Sequence, residues 1–270
     1  MKRTTTIGTA IAALGLAACG STVAPRTTPT PTPTVTSTPA PTATPAPTAT
    51  PVPTPSPTPV PPSPTYWWQA EGNANDSAGT DNGTLVGVTF APGVYGTDQA
   101  FSFGGAADQV VFNTYGGNPG AGAFTFAFAI KTTAATQEQA IWEKRAQCDS
   151  DGTSFWGFRM QPNGVVNFEA QNTAGQDYVD LGSTAVVNDG AWHWVAVTRQ
   201  TTTASLYVDG QLQATSTTAT TADISKRTPM RAGVSTCDGV DGTTALVGQL
   251  DELMIFRIAL TQSQIQTLGS

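Results

Sequence analysis

From Tyr66 onward the chain reads as short runs in which large apolar residues alternate with polar or small ones, the period of two that half-buried strands require. Phe124-Thr125-Phe126-Ala127-Phe128-Ala129-Ile130-Lys131 sets three Phe and one Ile on a single face, and a one-residue slip in register would turn all four outward. Trp192 to Arg199 repeats the pattern. In Ser205 to Leu212 it is interrupted by Asp209-Gly210, a pair that tolerates positive φ and predicts a type I′ turn between antiparallel strands. Phe155 to Met160 and Val165 to Ala170 flank Pro162-Asn163-Gly164, a hairpin with Asn-Gly turn chemistry. Phe101 to Phe103 and Val110 to Phe112 add shorter strands, and Leu246 to Phe256, apolar on both faces, predicts a strand inside a sheet. A helix is predicted only at the end, where Thr261 and Gln264 have the spacing of a capping box ahead of Ile265 and Leu268. Many strands without βαβ alternation predict an all-β fold of two antiparallel sheets packed face to face, a sandwich or jelly roll.

The first 65 residues follow other rules. Lys2 and Arg3 precede a short apolar run, Ile7 to Leu16, and then Leu16-Ala17-Ala18-Cys19, the form of an export signal over residues 1–18 that is too short to span a bilayer. Its end resembles the bacterial lipobox, which implies cleavage before Cys19 and acylation of that thiol; Gly20 after the cysteine hints at the outer membrane or cell surface as the address. Residues 19–65 then form a lipid-anchored linker, because Pro25 to Pro64 is almost entirely Pro, Thr, Ala, Ser and Val. Such a stretch has too few amide donors and apolar side chains to build a core, and is expected in extended polyproline II at about 3.1 Å per residue. It is read as a stalk, leaving residues 66–270 for one folded domain.

Charge and cysteine content refine this reading. Lys2, Arg3 and Arg26 lie ahead of the domain and every Asp and Glu lies within it, so the folded part is more acidic than the chain's net charge of −7. That balance disfavours nucleic acid and anionic membrane as partners and is compatible with a bound cation. With Cys19 assigned to a lipid, Cys148 and Cys237 remain; an oxidising compartment favours a bridge between them over two free buried thiols. A bridge closing so long a loop is worth roughly 4–5 kcal/mol in the chain-entropy model.

Ordered segments then carry a family likeness: Ala70-Glu71-Gly72-Asn73-Ala74-Asn75-Asp76-Ser77 with Asn82-Gly83-Thr84-Leu85; Ala100-Phe101-Ser102-Phe103; Trp192-His193-Trp194-Val195-Ala196-Val197 with Leu206-Tyr207-Val208-Asp209-Gly210; and Gly248-Gln249-Leu250-Asp251-Glu252-Leu253-Met254-Ile255-Phe256. Together they resemble the laminin G-like, concanavalin A-like jelly-roll family in its bacterial extracellular branch. The resemblance implies a structural calcium where the first and last strands meet, with Glu71, Asp76, Asn82 and Asp251 as candidate ligands. Hard oxygen donors on tightly turning loops suit that ion, and a carboxylate within an apolar strand, as at Asp251, needs a partner. The cysteine pair also resembles one seen in part of the family. If joined, it would gather Asp149, Asp151, Asp238 and Asp241 into a second cation or ligand loop, or into an acidic rim offset by Lys144, Arg145 and Arg231.

Catalysis is disfavoured. The one histidine, His193, alternates with Trp192 and Trp194 in a predicted strand, where packing is its expected role, and neither zinc spacing nor a phosphate loop is present. Sandwich glycoside hydrolases use two carboxylates about 5–10 Å apart; Glu143 and Glu169 lie near different hairpins, and nothing in the sequence brings them together. The expectation is a non-catalytic binding module for an extracellular glycan, with Trp142, Trp156, Arg159, Asn172, Gln176 and Tyr178 as candidate contacts. The competing reading is a protein-binding or adhesive head on the stalk.

Overall fold

The computed structural model describes residues 31, 33, 34 and 60–270 other than 106, 135, 149–153, 173–178 and 218–222. The export signal, Cys19, nearly all of the linker, and Asp149, Asp151, Gln176 and Tyr178 therefore lie outside the described residues. The strands are β1 (Tyr66–Trp68), β2 (Thr84–Val86), β3 (Thr89–Pro92), β4 (Gln99–Gly104), β5 (Gln109–Val111), β6 (Phe124–Lys131), β7 (Gln139–Lys144) and β8 (Phe155–Met160). They continue with β9 (Val165–Gln171), β10 (Val179–Val186), β11 (Trp192–Gln200), β12 (Thr203–Val208), β13 (Gln211–Ser216), β14 (Arg231–Ala232) and β15 (Val247–Phe256), followed by helix α1 (Gln262–Gln266).

Two antiparallel sheets result. Sheet 1 runs β13-β12-β11-β6-β15-β4-β3, with β1 also pairing to β15, and sheet 2 runs β10-β9-β8-β7-β14-β5-β2. The expected alternation holds in β6, whose Phe124, Phe126, Phe128 and Ile130 are all buried in the core between the sheets. Phe126 is the hub of an aromatic cluster, its ring within 6.0 Å of those of Phe124, Trp142, Trp156, Phe158 and Phe168. β15 lies inside sheet 1 between β6 on one side and β4 and β1 on the other, as its two apolar faces require.

The turns follow their residues as well. Asp209 and Gly210 adopt φ of 49° and 70° between β12 and β13, the positive values of a type I′ turn. The capping box forms at Thr261, and Ile265 of α1 joins Leu260, Met254 and Phe256 in a second apolar cluster on the outer side of sheet 1. Cys148 and Cys237 are joined by a disulfide that spans 89 residues of sequence.

Candidate functional site

The chain's opening and closing segments meet along β15. Its partner changes there: Leu250 faces Phe101 of β4, whereas Leu253 faces Trp68 of β1. Between these positions the pairing of β15 with β6 shifts register, Asp251 facing Ala129 and Met254 facing Ala127, so one residue is in excess. Glu252 absorbs the excess with φ of 53°, a left-handed conformation unusual for a side chain of its size. In a regular strand neighbouring residues point to opposite faces. The bulge instead lets the carboxylates of Asp251 and Glu252 meet each other and that of Asp98, with one oxygen of each lying within 4.8 Å of the others.

This group is buried and anionic. Asp251 is fully buried, accepting hydrogen bonds from the Val94 N–H (2.8 Å) and the Glu252 N–H (2.8 Å), while Glu252 accepts one from Trp67 Nε1. Burial, reinforced by the charges of Glu252 and Asp98, pushes Asp251 up to about 7. Burial likewise takes Glu252 to about 7, against its Trp67 hydrogen bond and with the charges of Asp98 and Glu71. Every neighbouring charge named in this balance is negative. Three hard carboxylate donors gathered with no cationic side chain among the described groups acting on them fit a calcium ion, which would supply the missing positive charge.

Of the four ligands expected from sequence, Asp251 is at the centre of this group and Glu71 at its margin, accepting from the Gln99 N–H at 3.4 Å. Asp76 and Asn82 are engaged otherwise. Asp76 accepts from the N–H groups of Trp67, Ala78 and Asp81 (3.0, 3.0 and 3.2 Å), and its own N–H donates to Asn82 Oδ1 (3.0 Å), so the two residues clasp their loop. The residues that gather with Asp251 are instead Asp98 and Glu252, which sequence reasoning missed. The adjacent Asp-Glu pair in an apolar strand was the available signal, masked by the expectation that one of two neighbours points away.

The outer face of sheet 2 carries the second concentration of polar chemistry. Arg231, Glu143, Gly157, Glu169 and Asp180 are cross-strand neighbours in one row over β14, β7, β8, β9 and β10. Adjacent strands lie about 4.8 Å apart, so the backbones of Glu143 and Glu169 flank Gly157 at about 10 Å from each other. The Arg145 guanidinium lies 3.9 Å from Glu143, 3.3 Å from Glu169 and 3.6 Å from the centre of the Phe155 ring. Glu143 also accepts from Ser235 Oγ (2.8 Å), Thr236 N–H (2.9 Å) and Thr236 Oγ1 (3.3 Å), on the segment that ends at the disulfide. Further along, Arg159 donates to Glu138 (2.7 Å), Asp241 (3.0 Å) and Thr243 Oγ1 (3.1 Å), and Gln161 donates to Glu138 (2.6 Å). The layer opens toward β9 and β10, where Glu169 and Asn167 are partly exposed and Asp180 and Gly182 are exposed.

Several expected contacts are corrected by burial. Trp142 and Trp156 are 0% exposed in the aromatic core, and a ring with no open face cannot stack on a sugar. Arg159 is buried with its Nη1 engaged by Glu138, Asp241 and Thr243, and Asn172 is partly exposed just past β9. Asp241 is balanced by Arg159, a partner not foreseen, whereas Lys144 is fully buried with its ammonium on the carbonyls of Thr114 (3.0 Å) and Gly116 (2.6 Å). Asp238 is half-buried, its pKa raised by burial and by Glu143 and Asp241 despite a backbone hydrogen bond and Arg159. Trp67, Trp192 and Trp194, none of them a sequence candidate, are the partly exposed indoles, all of them on sheet 1.

Comparison with known proteins agrees with this architecture. The family model described as the concanavalin A-like lectin/glucanases superfamily, Laminin_G_3, matches residues 103–266. Comparison with curated protein sequences finds no match. Among solved structures, the binding domain of Paraclostridial Mosquitocidal Protein 1 superposes with a TM-score of 0.59 at 13% identity, covering 76% of this chain and 51% of that one. The botulinum neurotoxin serotype D ligand binding domain in complex with N-acetylneuraminic acid gives 0.58 at 17%, covering 77% and 50%. Domain 4 of AbnA, a GH43 extracellular arabinanase from Geobacillus stearothermophilus, in complex with arabinotriose, gives 0.57 at 17%, covering 77% and 98%. The chain thus spans about half the length of the toxin domains it matches, and these likenesses show the fold. From the two-sheet sandwich, the seam of its first and last strands and a family match over more than half its length, the chain belongs to the Laminin_G_3 family of the concanavalin A-like lectin/glucanases superfamily.

Proposed function

We propose that this protein is a non-catalytic glycan-binding module, displayed from a bacterial outer membrane or cell surface on a lipid-anchored Pro/Thr stalk. The observation that carries the reading is the polar layer on the outer face of sheet 2. At its open margin Glu169 is ion-paired with Arg145 and Asn167 donates to Asp180 at 3.4 Å, so these side chains are already in contact before a sugar binds and less ordering is needed. The same pairing argues against hydrolysis. A catalytic acid or base must exchange a proton freely, yet Glu143 and Glu138 each accept from at least three protein donor groups and Glu169 is paired with Arg145. The superposed structures that carry arabinotriose and N-acetylneuraminic acid support a sugar as the ligand.

In this reading calcium is structural. Asp98, Asp251 and Glu252 would hold it, with Glu71 beside them, and the ion would tie the β3–β4 turn to β15 at the seam. The address rests on Lys2-Arg3, the short apolar run and Leu16-Ala17-Ala18-Cys19.

A glycan array probed with the full chain in calcium tests the reading, with arabinan oligosaccharides and sialylated glycans included. The expected result is saturable binding to at least one glycan class, weakened about tenfold, the loss of one good contact, by Asp180→Ala together with Asn167→Ala. An array without binding overturns it and leaves the protein-binding, adhesive reading in its place.

A further inference from the structure

At the end of sheet 1, away from the polar layer, a cavity of about 360 Å3 opens between the turn after β3, the β12–β13 turn and the C-terminal helix. Its volume lies in the range of small-ligand sites. Trp192 and Trp194, two residues apart on β11, project from the same side of the strand into it. Val94, Asp209, Ile265 and Gln266 complete its walls.

The two rings are kept in place by different means. Trp194 packs against the apolar cluster under α1, and Gly269 lies along its pyrrole edge, where an added Cβ would come within 2.6 Å of Nε1. Trp192 has the Lys131 ammonium 6.0 Å from its ring. The carboxylate of Asp209 is aimed by two contacts, the Trp194 N–H at 2.9 Å and His193 Nδ1 at 2.8 Å, and its side chain remains half exposed. Gln266, exposed on α1, leans its amide toward the Gly210 carbonyl at 3.3 Å.

We infer that this cleft is a second saccharide site, one that takes an uncharged sugar ring against Trp192 and Trp194, with Asp209 and Gln266 hydrogen-bonding its hydroxyls. The assignment rests on the glycan-binding reading for the class of ligand and on separate residues for the place. Indole faces match the apolar face of a sugar ring, and an ordered carboxylate and amide at the rim match its hydroxyls. Charge selects a neutral ligand: a cation above Trp192 is opposed by Lys131, and an anion by Asp209. A second site on a different sheet would let one head engage two points of a glycan-coated surface, raising avidity without a new domain.

The test is a titration of the full chain, in calcium, with the neutral trisaccharides arabinotriose, maltotriose and cellotriose, read by NMR of the tryptophan indole N–H signals. N-acetylneuraminic acid is the charged control. The expected result is a saturable shift of the Trp192 and Trp194 signals with at least one neutral sugar, smaller with the anionic one, while the core residues Trp142 and Trp156 stay still. Gln266→Ala and Trp194→Phe, each checked for a thermal midpoint like the wild type's, should each weaken that titration about tenfold. Signals of Trp192 and Trp194 unmoved by all three trisaccharides overturn the site, as do unaltered affinities in both variants. The glycan array separates this failure from that of the broader reading: a positive array with shifts confined to Asn167 and Asp180 leaves the module a lectin with one site.

Discussion

His193 shows how one side chain takes its role from the loops around it. It stands between Asp189 (3.0 Å) and Asp209 (2.8 Å) and so pins the loop before β11 to the β12–β13 turn. Desolvation lowers its pKa, but the hydrogen bonds and charges of the two aspartates outweigh that and hold it above 6.5. The imidazolium form is therefore favoured by folding. Its stabilisation is fully present below about pH 6.5 and is lost as pH rises through the higher folded value. Urea unfolding of the wild type and His193→Gln from pH 5.5 to 8.5 should show a stability difference that shrinks with rising pH; a constant difference would mean the ion pairs are idle. The sequence places His193 in a strand between two tryptophans, but it cannot show the aspartates, because both come from turns. Trp142 and Trp156 make the same point in reverse. Their residue type suits a sugar platform, and only their position on the inward face of sheet 2 makes them core.

At the scale of elements, β6 was readable without ambiguity, since one face carries Phe124, Phe126, Phe128 and Ile130 and no other register buries them. Phe126 bears most of the inter-sheet aromatic contacts, so Phe126→Ala should cost about 3–5 kcal/mol in chemical denaturation, the range for emptying a large core site. A loss under about 1 kcal/mol would mean that the core closes over the gap. The connection from β5 to β6 depends on a contact the sequence conceals. Lys144 ends β7 fully buried and donates to the carbonyls of Thr114 and Gly116, and desolvation, partly offset by Asp81, lowers its pKa to about 8. A lysine at a strand end normally reads as a solvated charge; here it stitches a loop. Likewise the bulge in β15 is invisible to a period-two reading, yet it alone lets Asp251 and Glu252 turn to the same side.

For the whole molecule, closure depends on two ties between distant segments. The disulfide holds the segment whose Ser235 and Thr236 saturate Glu143, and the acidic seam joins the β3–β4 turn to β15. Adding chelator to calcium-loaded protein at pH 8 should lower the thermal midpoint, and excess calcium should restore it, because a ligand bound only to the folded state stabilises by mass action. Asp251→Asn should abolish that response. An unchanged midpoint in chelator would remove calcium from the account of the seam.

Sequence alone determined the two-sheet sandwich, its central strands, the type I′ turn and the capped terminal helix, because period-two burial and turn chemistry are local and each residue carries its own part of the signal. Only the tertiary structure decided which carboxylates share the seam, which arginine answers Asp241, and which indoles reach solvent. Those outcomes depend on a register shift and on loop contacts among residues more than 80 positions apart in the chain, such as Arg159 with Asp241 and Asp98 with Asp251, and no local pattern encodes them.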